Sequence, residues 1–80
     1  MSTKIELKYP IMAEGREITN VELRRPTVRD RLIAERTNGT NLEKEIRLIA
    51  ALCDFAPTMI ESLDMADYAQ LQDALADFLS

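Results

Sequence analysis

The sequence predicts an α+β fold, an N-terminal β-hairpin followed by a three-helix unit with one extra short helical turn, and three patterns predict it. Lys4 to Tyr9 alternates polar and apolar residues, which places Ile5, Leu7 and Tyr9 on one face of a half-buried strand. Leu42, Ile46, Ile49 and Cys53 recur at four, three and four, the period of an amphipathic helix that buries a broad face. Tyr68, Leu71, Leu75 and Phe78 recur at three, four and three, the narrower seam of a helix packed on another helix. Eighty residues fit one domain, divided into a hairpin over 1–25 and a helical unit over 27–80.

Taken in order, the first strand meets Pro10, which lacks a ladder donor and should end it or confine it to an edge. Ala13, Glu14, Gly15 and Arg16 supply a turn in which Gly15 is free to take positive φ. The return strand, Glu17 to Arg24, carries Val21 and Leu23 in one phase and Ile18 in the other, a shift that a bulge near Thr19 and Asn20 accommodates. Thr27 and Asp30 read as an N-cap and a first-turn acid for a short helix from Val28 to about Arg36, with Val28, Leu32 and Ile33 as its narrow apolar stripe. Thr40 and Glu43 have the spacing of a capping box at the start of the central helix. Pro57 suits the first position of a single helical turn through Ser62, and Asp64 caps the last helix.

Composition narrows the chemistry. The chain has no histidine and one cysteine, Cys53, which lies on the apolar stripe of the central helix and reads as a buried, inert thiol. The usual general base, the common nucleophile pairs and the nitrogen and sulfur metal sites are thereby excluded, so neither catalysis, a cofactor nor a metal is expected. A single cysteine permits no internal disulfide, which predicts a reduced, intracellular protein. No apolar run approaches the roughly 20 residues that span a bilayer and the first residues alternate without a signal-peptide pattern, which predicts a soluble protein without an export signal. The net charge of −4 is unevenly spread. Residues 1–53 carry all ten bases against eight acids, a balance of +2, whereas residues 54–80 carry six acids and no base, a balance of −6.

Two groups of residues are candidates for a partner surface. Arg24, Arg25, Arg29, Arg31 and Arg36 form the one basic cluster. It reads as a solvated face or as an electrostatic partner for an acidic helix, either this chain's own last helix or another copy's. Nucleic acid is disfavoured, because no aromatic residue interleaves the cluster and the acidic third repels phosphate. Phe55, Met59, Met65, Tyr68 and Leu79 lie near breaks in the helical pattern. They either complete the core or form an exposed patch for a partner helix, in which flexible methionines would favour adaptable contacts.

Three stretches give a further lead: Leu23, Arg24, Pro26, Thr27 and Asp30 in LRRPTVRD; Glu45, Ile46, Leu48, Ile49, Ala50, Leu52 and Cys53 in EIRLIAALC; and Asp67, Tyr68, Leu71 and Gln72 in DYAQLQ. In their order and spacing the chain resembles the short phage tail assembly chaperones of Mu-like contractile-tailed phages and related prophages. Ala56 before Pro57 departs from the pattern, where a better capping residue is expected. The resemblance implies a non-enzymatic protein of the bacterial host cytoplasm that binds the phage tape-measure protein, keeps it soluble during tail-tube assembly and is absent from the mature virion. It also implies a longer frameshifted product of the same gene, and self-association is a further possibility. Read from the residues alone, a small antitoxin-like or regulatory oligomer and a minor structural tail subunit remain open as alternatives.

Overall fold

The structure, a computed structural model, describes residues 2–80. Its elements run β1 (Ser2–Ala13), β2 (Arg16–Arg24), α1 (Val28–Arg36), α2 (Asn41–Cys53), α3 (Pro57–Glu61) and α4 (Met65–Phe78). The two strands form an antiparallel hairpin and the helices follow it, with α3 as the expected extra turn, so the fold is α+β.

Ala13 pairs with Arg16, which leaves Glu14 and Gly15 as a two-residue turn in which both adopt positive φ, 52° and 76°. Such turns match the right-handed twist of the flanking strands. At Pro10 the second alternative holds, since β1 is an edge of a two-stranded sheet. The strand continues through it to Ala13, because Leu7, Lys8, Tyr9 and Pro10 stand opposite Thr19 alone between the pairs Glu6↔Asn20 and Ile11↔Ile18. The missing ladder donor of proline falls where there is no ladder to break. A register break does lie beside Thr19 and Asn20, but the extra residues are on the first strand and not on the return strand. This break also corrects the reading of Tyr9, which is turned off the buried face and stands exposed while Ile5 and Leu7 remain in the core.

The core draws on the hairpin through Ile5, Leu7, Val21 and Leu23, on α2 through Ile49, Ala50 and Leu52, on α3 through Ile60, and on α4 through Tyr68, Leu71, Ala74 and Leu75. The seam of α4 is therefore shared between α2 and the hairpin and is not filled by the central helix alone. Leu42, expected on the same stripe, is exposed. At the other end of α2, Asp54 takes a left-handed conformation and Phe55 donates its N–H back to Ala50 O at 2.9 Å, closing the helix. Burial pushes the half-buried Cys53 thiol up to about 12, consistent with an unreactive side chain.

The stripe expected on α1 is not a core stripe. Val28, Leu32 and Ile33 are all exposed, and only Ala34 of this helix is buried. Val28 and Ile33 are five residues apart and so diverge by about 140° around a helix of 3.6 residues per turn, too far to share one contact line. What orients α1 is polar. Thr27 and Asp30 form a reciprocal capping box, and Arg24 grips both oxygens of Asp30 at 2.7 and 2.8 Å. The Arg24 guanidinium, aided by the Thr27 N–H and hydroxyl, holds the Asp30 carboxyl well below the usual carboxylate range.

A candidate partner-binding groove

The helix α1 lies against α2, and the end of α4 reaches the same region. Between them runs a groove of about 650 Å³. Its apolar lining comes from Pro26, Val28, Ala34, Leu48, Leu75 and Leu79, and its charged lining from Arg31, Glu35, Lys44 and Glu45. Capping boxes start both α1 and α2, so the two walls begin at defined residues.

The charged lining is tied within the chain. Glu35 stands 3.6 Å from both Arg31 and Lys44 and so links the two helices across the groove. One oxygen of Glu45 accepts from the Tyr68 hydroxyl at 2.7 Å and from the Gln72 amide at 2.8 Å, which joins α4 to α2. Burial and the adjacent Glu45 carboxylate both raise the Tyr68 phenol well above its usual value, so it stays a hydrogen-bond donor. A second connection anchors α4 to the hairpin. The fully buried Asp67 accepts the Lys8 N–H at 2.9 Å and the Tyr9 N–H at 3.0 Å, and Gln70 donates to it at 3.0 Å. The register break in β1 frees these two N–H groups from the ladder, and Asp67 satisfies them.

The five apolar candidates do not form one patch. Tyr68 is 6% exposed and belongs to the core, so it does not stand on a surface that a partner can touch. Phe55 is half-buried and packs against the same core, and Met59 is half-buried on α3. Met65 and Leu79 are exposed at 78% and 69%, at opposite ends of α4, and only Leu79 reaches the groove. Among the arginines, Arg24 is bound to Asp30, Arg31 faces Glu35, and Arg25 lies over the Phe78 ring at 5.8 Å. Among the described residues Arg29 and Arg36 make no ion pair. Sequence reasoning missed Val28 and Leu48 as groove residues. Neither carried a signal of its own: Val28 is aligned with Leu32 as if on a core stripe, and Leu48 lies on a stripe that is otherwise core.

A family model described as phage tail assembly chaperone proteins, E, or 41 or 14, matches residues 4–80. The chain belongs to this phage tail assembly chaperone family. No curated protein and no solved structure matches it. In this chaperone, several of the residues that carried the resemblance are those that connect its elements: Arg24 with Asp30, Thr27 as a cap, Glu45 with Tyr68 and Gln72, and Asp67 under the hairpin. Among the described residues, no helix is long and apolar enough to cross a membrane.

Proposed function

We propose that this chaperone binds the phage tape-measure protein in the host cytoplasm, keeps it soluble while the tail tube assembles, and leaves before the virion is complete. The observation that carries the reading is the groove between α1, α2 and the end of α4, about 650 Å³ with an apolar lining and charged walls already paired within the chain. An amphipathic helix docks by laying apolar side chains at helical spacing into such a groove. Val28 and Leu79, exposed at its edge, supply apolar contact without distorting the fold.

Co-expression with the phage tape-measure protein tests the proposal. The two should co-purify, and Leu79→Asp should weaken that association at least about tenfold through the buried charge it introduces. Its circular-dichroism spectrum should be unchanged, because Leu79 lies outside the core. Normal co-purification of Leu79→Asp would move the contact elsewhere, and persistence of the protein in purified particles would favour a structural subunit.

A further inference from the structure

The helix α1 forms one wall of the groove, yet charge joins it to the rest of the chain more than packing does. All three ion pairs among the described residues involve it, Arg24 with Asp30, Arg31 with Glu35 and Lys44 with Glu35, and none reaches the acidic last helix. Only the Lys44–Glu35 pair, at 3.6 Å and partly exposed, ties α1 to α2 across the groove. The apolar tie is small, because Ala34 is the one buried residue of α1. Neither end is fixed by regular structure: residues 25–27 precede the helix and residues 37–40 follow it outside any helix or strand. In the second connector Gly39 holds φ at 143°, and a Cβ there would stand 3.0 Å from the Glu43 oxygen that caps α2. Glycine lets this connector change direction while the start of α2 stays in place. Val28 and Leu32 stand one turn apart on a single line of α1, and both are exposed. Arg31 and Glu35 form the neighbouring line and line the groove, as Leu32 does not. Val28 is three residues from Arg31 and Leu32 three from Glu35, so the two lines lie about 60° apart around the helix.

We propose that α1 is a lid on the groove, an inference that rests on the groove as the docking site of a tape-measure helix. As that helix enters, α1 rolls by about 60° about its axis, Glu35 releases Lys44, and Val28 and Leu32 turn onto the bound helix. The roll exchanges a charged line for an apolar one. It gains burial only when an apolar surface is present to cover Val28 and Leu32, so the partner shifts the equilibrium toward the rolled state. The Arg31–Glu35 pair lies within α1 and moves with it, and the long Arg24 side chain follows Asp30 at the pivot, so Lys44–Glu35 is the one pair that has to break. A surface pair of this kind contributes little, which makes it a latch and not a lock. Ala34 brings only a methyl group, so turning it costs little as well. A helix enclosed in this way is contacted from two sides, and the segment that α1 closes on therefore carries apolar residues on more than one line.

Leu32→Asp separates the lid from the groove, because Leu32 lies outside the groove of the free chain whereas Leu79 lines it. Competition between differently tagged wild-type and variant chains for co-expressed tape-measure protein reads the relative affinity. Leu32→Asp should lose at least about tenfold through the charge it turns onto the partner, and Leu32→Met should recover the wild-type level. Circular dichroism of both should be unchanged, because Leu32 lies outside the core. Glu35→Gln removes the latch and should bind roughly twofold to fivefold tighter, the range a surface ion pair spans. In the free chain the same variant should exchange its α1 amides faster than wild type. If Leu79→Asp weakens binding and Leu32→Asp does not, the groove stands and the lid is overturned. If neither weakens it, the groove fails and the lid with it. A loss in Leu32→Asp without any gain in Glu35→Gln overturns the roll, since the partner then reaches around an α1 that stays in place.

Discussion

Asp67 joins the last helix to the first strand, and its environment makes a prediction about pH. Burial alone would raise its carboxyl, but the Lys8 and Tyr9 N–H groups, the Gln70 amide and the Lys8 charge outweigh burial and hold it below its ordinary value. Asp30 is lowered as well. A group whose folded value is depressed stabilises the fold above its unfolded value of about 3.9 and loses that contribution as pH falls through the folded value. Denaturation midpoints measured from neutral pH down to about pH 3 should therefore fall with acid, and Asp67→Asn should flatten the acid limb while lowering the neutral-pH midpoint. An acid limb as steep in the variant as in the wild type would show that Asp67 does not contribute. Asp67 was legible in the sequence only as the first residue of the DYAQLQ motif. Nothing local announced that its partners lie 58 and 59 residues away, because they are freed by a register break that periodicity does not encode. Ile49, fully buried, was legible from spacing alone. Ile49→Ala should cost about 2 to 5 kcal/mol in denaturant unfolding, and a shift under about 0.5 kcal/mol would show that the site is not core.

Among the elements, α2 and α4 were legible because their apolar stripes, broad on α2 and narrow on α4, recur at helical spacing. The hairpin was legible in its strands and turn, whereas the extra residues were expected on the wrong strand: the phase change between Ile18 and Val21 reports that a register break exists, not which strand carries it. The stripe of α1 was misread: Val28 and Leu32 are aligned and Ile33 diverges from their line, but all three are exposed. With only Ala34 buried, α1 is held by its cap, by Arg24 and by Glu35, and such polar contacts at the surface open readily. Amide hydrogen exchange of the free protein should therefore show α1 less protected than α2 and α4. Equal protection across the three would mean that α1 opens only with the whole fold.

At the scale of the molecule, the family was legible in the order of three short motifs, but the groove was not. Its walls come from Pro26 to Glu35, Asn41 to Leu48, and Leu75 with Leu79, and no local pattern states that these segments converge. The acidic third was visible as a count of charges; that its acids form no ion pair within the chain required the positions of the bases. Amide hydrogen exchange of the chaperone with and without the tape-measure protein tests the groove as the binding surface. Protection should rise in α1, in the first half of α2 and around Leu79, with α1 changing most because it starts least protected. Protection gained only at the exposed hairpin tip around Met12, or no change in α1, would contradict the groove as the binding surface.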